Sequence, residues 1–324
     1  MVGSPEKCDV LFCIPVYNDW ASANSLLLKI DSVIAEQRWQ ARVLFIDDGS
    51  SDDFSGFIQP PISLQKVEVL RLRSNVGHQR AIALGITYIF QHRPCSYVVI
   101  MDADGEDAPS DVVALMQIAR ESTPARIVFA QRATRSEGPV FKLFYKLFQF
   151  AHLAIVGRKM DIGNFSVVPH PLLDRLVGIG DLWNHYAAAA VKARLPITKT
   201  PISRSHRFEG KSKMNFSGLV THGLSAISVY GDDIGARFLL ASVFLVIMTL
   251  VCLVLVASIR LFTSFAIPGW ASYAMLGLVG ILVNSLLLCI AFCFLILRSR
   301  NASTFIPLRD YPYFITRVET IHDQ

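Results

Sequence analysis

The chain has 324 residues, of which 52% are hydrophobic, and a formal net charge of +5 at pH 7. A modest positive charge without a recognisable nucleic-acid-binding module argues against a nucleic-acid partner. The six cysteines are scattered, without the spacing of a zinc site or a disulfide framework, which is typical of a reducing compartment. The first nine residues carry charge but lead into only a short apolar run, so we expect no signal peptide.

Four apolar runs, each followed by polar turn residues, predict the strands of an α/β domain. Helical stretches separate the runs, and this alternation predicts a mostly parallel sheet. Ligands bind beyond the carboxyl ends of the strands in such sheets. We therefore expect the four polar clusters to share one edge of the sheet. The runs are Val10–Val16, Val43–Ile46, Val67–Leu72 and Val99–Met101.

The most distinctive cluster is acidic and follows the last of these runs, from Asp102 to Asp107. Alternate positions of a strand face the same way, so Asp102 and Asp104 present two hard oxygen ligands on one side. Such ligands suit Mg²⁺ or Mn²⁺, whose shells are often completed by the phosphates of a substrate. The cluster therefore predicts a metal site for a nucleotide or nucleotide-sugar. A solvated acidic turn is the alternative explanation of the cluster by itself.

Taken in order, the four clusters resemble the family 2 glycosyltransferases, whose GT-A fold is Rossmann-like and which use nucleotide-sugar donors. The resemblance covers about residues 8–215. It implies that the Asp102-Ala103-Asp104 motif binds Mg²⁺ or Mn²⁺ on the donor diphosphate. Glu106 stands where related enzymes carry glutamine and is a candidate third ligand. The donor-binding residues that the resemblance names are Pro15, Tyr17, Asp19, Asp48, Asn75, Gly77 and Asp102.

A basic motif from Arg207 to Lys213 follows the soluble part of the sequence. It resembles the Arg-x-x-Gly-x-Ser-Lys loop of the polyprenyl-phosphate branch of the same family, in which the loop closes over the donor and acceptor phosphates. This resemblance names Arg207, Ser212 and Lys213 as phosphate or acceptor ligands. Arg132 and Arg135, which follow the predicted fifth strand, are further candidates. The acceptor it implies is an undecaprenyl or dolichyl phosphate.

The acceptor decides which catalytic groups are needed. A lipid monophosphate has a second pKa of about 6 and attacks as a dianion without a general base. We therefore expect an inverting, metal-dependent hexosyltransferase in which Asp104 and Arg207 are catalytic. If the acceptor is a hydroxyl of a lipid or polysaccharide, Glu106 or Asp107 becomes the general base. A processive polysaccharide synthase and a catalytically silent membrane partner are two further interpretations of the chain.

Two uncharged stretches predict a transmembrane hairpin. Phe238 to Ile259 and Leu261 to Leu297 contain no charged residue over 22 and 37 positions. About 20 apolar residues cross a bilayer, and Pro268-Gly269-Trp270 interrupts the second stretch. We therefore expect spans at about 238–259 and 271–297.

The arginines flanking these spans predict their orientation. Arg260 is alone in the turn, whereas five arginines lie outside it, so the positive-inside rule predicts that the catalytic domain and both termini are cytoplasmic. The membrane is then a bacterial inner membrane or an ER membrane, where cell-envelope or other glycans are assembled. Association into a homo-oligomer through the spans is left open. The five arginines are Arg237, Arg298, Arg300, Arg309 and Arg317.

These patterns divide the chain into four parts. We expect a GT-A domain over residues 1–215, an amphipathic interface segment over 216–236, the hairpin over 237–300 and a cytoplasmic tail over 301–324. Residues 139–157, which are rich in phenylalanine and carry Lys142 and Lys146, predict a second helix in the headgroup layer.

Overall fold

The structure, a computed structural model, describes residues 8–132, 157, 162–202, 224–263, 269–301 and 305–324. The described residues form two compact units. The larger unit holds residues 8–132, 162–202, 224–229 and 305–324, and the smaller holds residues 157, 230–263 and 269–301. The predicted interfacial helix over 139–157 and residues 216–223 of the predicted interface segment lie outside the described part, apart from residue 157.

An eight-stranded sheet forms the centre of the larger unit, in the order β7-β5-β6-β4-β1-β2-β3-β8. Strands β6 and β8 run antiparallel to their neighbours, and the other pairings are parallel. The predicted α/β class with a mostly parallel sheet is therefore confirmed. The strands are β1 (Val10–Val16), β2 (Ala41–Asp47), β3 (Lys66–Leu72), β4 (Tyr97–Ile100), β5 (Ile127–Arg132), β6 (Ser166–Pro169), β7 (Ile197–Ile202) and β8 (Ile315–Asp323).

Helices cover both faces of this sheet. All seven residues of β1 are buried, and they alternate between two apolar clusters: Leu11 belongs to one face, whereas Val10 and Phe12 belong to the other. Burial on both faces explains why the strand is a continuous apolar run. The helices of this unit are α1 (Trp20–Gln37), α2 (His78–His92), α3 (Pro109–Glu121), α4 (His170–Val177), α5 (Tyr186–Lys192) and, near the carboxyl terminus, α8 (Pro307–Asp310).

The strand order brings the ends of β1 to β4 together. Strand β1 pairs in parallel with β2 and β4, and β2 pairs in parallel with β3. The carboxyl ends of these four strands therefore share one edge, as the sequence predicts. Because β6 is antiparallel to β4, with Ser166 opposite Ile100, the residues just before β6 reach the same edge.

The last residues of the chain belong to the sheet. Strand β8 runs antiparallel to β3, from Asp323 opposite Lys66 to Ile315 opposite Leu72. The Lys66 ammonium lies 2.7 Å from the Asp323 carboxylate across this pairing. The expected division into a domain over residues 1–215 and a separate tail over 301–324 therefore has to be corrected, because the larger unit includes residues that follow the predicted spans.

The smaller unit contains two long apolar helices, α6 (Gly231–Phe262) and α7 (Trp270–Asn301), which cover both predicted spans. Both are long and apolar enough to cross a membrane, and only 11% and 6% of their most apolar 18 residues are buried. The hydroxyls of Ser242, Thr249 and Ser285 donate to the carbonyl four residues earlier in the same helix. Their polar groups are therefore satisfied within the helices.

Two aspartate substitutions in β8 test whether this segment is part of the folded unit. Val318 is partly buried against an apolar cluster of the sheet, whereas Thr316 is exposed and has no register partner in β3. We expect Val318→Asp to cost about 2 kcal/mol because it forces a carboxylate against apolar side chains. The melting midpoint should fall by roughly 4–8 °C.

The matched variant Thr316→Asp should melt close to the wild type because its carboxylate stays in water. Thermal melts of the purified, detergent-solubilised protein measure both. Equal midpoints for Val318→Asp and Thr316→Asp would mean that residues 315–323 are a solvated tail.

Candidate active site

The carboxylate of Asp48 organises two of the predicted clusters. Its two oxygens accept the backbone N–H groups of Val76 and Gly77, at 2.7 and 3.0 Å. The side chain is only 3% exposed. This burial raises the pKa of Asp48 above its ordinary value, although the two N–H groups stabilise the charged form. Asp48 thus ties the end of β2 to the start of α2.

Gly49 is required where these two loops meet. Its φ is +72°, a conformation that side chains rarely adopt, and an added Cβ would lie 2.6 Å from the backbone N of Asn75 and 2.7 Å from the carbonyl carbon of Ser74. Only glycine therefore lets the loop after β2 approach the loop after β3 this closely.

The loop after β1 is fastened to the loop after β2. The N–H of Asn18 donates to Ser50 Oγ at 3.0 Å, and Asn18 Oδ1 accepts the N–H of Ser51 at 2.9 Å. Asp19 accepts the Ser22 hydroxyl at 2.9 Å. The Tyr17 side chain is 50% exposed. Pro15, in contrast, is buried within β1 opposite Ile46.

The acidic turn after β4 alternates between solvent and interior. Asp102, Asp104 and Glu106 are partly exposed, whereas Asp107 is buried. The N–H of Glu106 donates to Asp104 Oδ1 at 3.0 Å, and the N–H of Asp102 donates to Asp107 Oδ2 at 3.1 Å. Asp107 thus holds the backbone of the turn, while the three other residues remain partly exposed. Its predicted role as a general base stays a prediction.

His78, which the sequence pattern did not single out, is a member of this site. Its Nε2 lies 3.1 Å from Asp102 Oδ1 and 3.1 Å from Asn164 Nδ2. Desolvation lowers the pKa of His78, but the carboxylates of Asp102, Asp48 and Asp104 raise it by more, so the pKa lies above its ordinary value. The position of His78 directly after Asn75-Val76-Gly77 was the local signal that could have identified it.

The structure brings together the four clusters but not all of the predicted basic residues. Arg132 is the last residue of β5 rather than a residue after it. Arg135, Arg207, Ser212 and Lys213 lie outside the described residues, so their roles stay predictions. Within the described ranges, no group of three or more His, Cys, Asp or Glu side chains is arranged to hold a metal ion. The described carboxylates alone therefore do not form a closed metal cage.

Comparisons with known proteins agree on the family. The model of Glycosyl transferase family 2 matches residues 11–173. The undecaprenyl-phosphate 4-deoxy-4-formamido-L-arabinose transferase of Klebsiella pneumoniae is 26% identical over 256 residues, which cover 72% of this chain and 74% of that one. The uncharacterized glycosyltransferase YkcC of Bacillus subtilis is 22% identical over 275 residues, which cover 82% and 81%.

A solved structure agrees on the fold. Mannosyl-3-phosphoglycerate synthase from Rubrobacter xylanophilus matches with a TM-score of 0.50 and 14% identity, over 71% of this chain and 75% of that one. The larger unit therefore has the GT-A-like α/β fold that the four clusters predict.

An alanine at position 49 tests the close approach of the two loops. We expect Gly49→Ala to cost about 2 kcal/mol or more because the new methyl group meets backbone atoms at a positive φ. Gly56→Ala is the matched control, since an added Cβ there has nothing within 4 Å. It should change the free energy of unfolding by less than about 0.5 kcal/mol. Thermal melts compare the two, and equal stability would contradict the described packing.

Proposed function

We propose that the chain, which belongs to Glycosyl transferase family 2, is a membrane-anchored inverting enzyme that moves a sugar from a UDP- or GDP-sugar to a polyprenyl phosphate. One observation carries the proposal: the loops after β1, β2 and β3 lie at the same edge of the sheet as the partly exposed residues Asp102 and Asp104. The relatives named as undecaprenyl-phosphate sugar transferases support the choice of acceptor.

The donor would lie across the three loops at this edge. The half-exposed ring of Tyr17 offers a surface on which a base can stack. Asp19 and Asn75 lie in the first and third loops and offer polar groups to the base and ribose. Asp48 would support the donor site indirectly by holding the third loop in place, because its oxygens already accept two N–H groups of that loop. Gly77 belongs to that loop, whereas Pro15 lies near the carboxyl end of β1, just before the first loop.

The residues present fit a divalent cation. Asp102 and Asp104 are partly exposed carboxylates in the turn that follows β4, and Mg²⁺ or Mn²⁺ bound by two carboxylates takes its remaining ligands from phosphates and water. Such a cation would stabilise the charge of the departing nucleotide diphosphate. Glu106 is partly exposed two residues further on and is the candidate third ligand.

The acceptor would attack as a phosphate dianion. Its oxygen forms the new bond to the anomeric carbon while the bond to the nucleotide diphosphate breaks on the opposite face, so the configuration inverts. Cationic side chains have to hold two anions together. Arg132 ends β5, two strands or about 10 Å from β4, and Arg135, Arg207, Ser212 and Lys213 are the further candidates.

The two apolar helices supply the membrane anchor in this proposal. Their side chains remain largely exposed, and apolar surface of that extent is unfavourable in water. Because β7 precedes the hairpin and β8 follows it in the same sheet, two crossings return the chain to the side on which it started. The arginines outside the turn make that side the cytoplasm.

Replacing one carboxylate tests the enzymatic proposal. Purified protein is incubated with Mn²⁺ or Mg²⁺, polyprenyl phosphate and a panel of UDP- and GDP-sugars, and the release of nucleotide diphosphate and the formation of glycolipid are measured. We expect release to require both metal and lipid. Asp102→Asn should reduce it by about 100-fold or more, the scale for loss of one electrostatic stabiliser.

Asp174→Asn, at an exposed position of α4, is the matched control and should retain activity. Full transfer by Asp102→Asn would contradict the metal site. Release without glycosylation of the lipid would move the acceptor to a hydroxyl and give Glu106 or Asp107 the role of general base. No release from any donor would favour a catalytically silent membrane partner.

Single cysteines test the proposed topology. The described native cysteines outside the spans, Cys8, Cys13 and Cys95, are buried. Burial raises the pKa of Cys8 to about 11 and that of Cys13 to about 12, so these thiols stay protonated and unreactive at neutral pH. We expect Thr263→Cys, at the end of α6, to react with a membrane-impermeant maleimide added to intact cells. Gln324→Cys should react only after permeabilisation, and the reverse pattern would contradict the topology.

A further inference from the structure

A chain of polar contacts runs from the start of α5 to the carboxylate of Asp102. The backbone N–H of Tyr186 donates to Gln79 Oε1 at 2.9 Å, and Gln79 Nε2 donates to Asn164 Oδ1 at 3.0 Å. Asn164 Nδ2 lies 3.1 Å from Nε2 of His78, and the same ring nitrogen lies 3.1 Å from Asp102 Oδ1. We call Gln79, Asn164 and His78 the relay.

The far end of the relay is held rigidly. Gln79 is 8% exposed and Tyr186 is fully buried. The Tyr186 hydroxyl and the Ser166 hydroxyl are 2.7 Å apart, and Ser166 Oγ donates to the backbone carbonyl of Asn164 at 2.9 Å. Hydrogen bonds in such a low-dielectric setting are costly to break. Asn164 is therefore fixed through both its side chain and its backbone.

The near end of the relay is held from two directions. His78 is the first residue of α2, and the preceding Gly77 is bound through its N–H to the buried Asp48. The ring nitrogen lies at ion-pair distance from Asp102 when the ring is protonated, and it accepts from the Asn164 amide when it carries no proton. In either state the ring stands between the amide and the carboxylate.

We propose that His78 is a positioning residue, which orients the Asp102 carboxylate toward a divalent cation, and that Asn164 and Gln79 hold the His78 ring in place. The inference rests on the proposed function, because it needs a cation at Asp102. Carboxylates that bind metals are themselves oriented by hydrogen-bond partners, and losing such a partner typically weakens metal binding by about 10–100-fold. Asp107 holds the backbone of Asp102 by accepting its N–H, whereas His78 contacts the carboxylate itself.

The affinity for Mn²⁺ alone is the informative measurement, because a purely structural role of His78 would leave it unchanged in a folded variant. Titration of the purified full-length protein with Mn²⁺, followed by electron paramagnetic resonance of the free ion, gives the dissociation constant. We expect His78→Met, which keeps the volume but removes both roles of the nitrogen, to weaken binding by about 10-fold or more. The Mn²⁺ concentration for half-maximal activity should rise with it, while kcat at saturating Mn²⁺ changes less.

Two further variants separate positioning from simple packing. His78→Gln carries an amide nitrogen near the position of Nε2 and should restore most of the Mn²⁺ affinity. Asn164→Leu removes the amide that holds the ring and should weaken Mn²⁺ binding less than His78→Met does. His92→Met is the matched control: His92 lies at the other end of α2, where its Nε2 contacts the Tyr311 hydroxyl at 2.7 Å. It should bind Mn²⁺ like the wild type.

The outcomes distinguish the relay from the metal site itself. If the wild type binds Mn²⁺ more tightly than Asp102→Asn does, and His78→Met is folded and binds like the wild type, the role of His78 is overturned while the metal site stands. If wild type and Asp102→Asn bind Mn²⁺ equally, both the metal site and the positioning role are overturned. Weakened binding by His78→Met with recovery in His78→Gln supports the inference.

Discussion

The arrangement of the site depends on one buried carboxylate. Asp48 uses both of its oxygens to accept the backbone N–H groups of Val76 and Gly77, so the loop after β2 and the beginning of α2 are held as one piece. Burying a carboxylate is unfavourable unless its oxygens are satisfied, and these two donors supply that compensation. His78 follows Gly77 directly, so the backbone that carries its ring is held in place where the ring contacts Asp102.

A reversal of strand direction completes the edge. Strands β1 to β4 alone would supply the donor loops and the acidic turn, but the antiparallel β6 begins where β4 ends. Asn164 arrives at the site for this reason, 86 positions after His78 along the chain. Strand β5 lies on the other side of β6, which puts its last residue, Arg132, at the same edge. The parallel strands β1 to β4 thus supply the loops and the acidic turn of the site, and the antiparallel strand β6 brings Asn164 to it.

Local patterns predicted the parts of the molecule that depend on local sequence. β1 begins and ends where its apolar run does, and the acidic turn follows β4 as its composition indicates. Strand β8 was missed because its apolar residues Ile315, Val318 and Ile321 are three apart, not two, and the pairing with β3 is irregular at two points. The contact between His78 and Asn164 could not be predicted from local sequence because the two residues are 86 positions apart.

The position of β8 also constrains the order in which the sheet and the two apolar helices can form. The edge of β3 exposes unpaired backbone groups until residues 315–323 pair with it, and such an edge is a template for incorrect association. These residues are synthesised after both apolar helices, so the sheet cannot be completed before the hairpin has been made. The pairing of β3 with β8 also adds contacts between side chains, such as the ion pair between Arg71 and Glu319. The two apolar helices are therefore inserted in the sequence between β7 and β8, two strands of one sheet.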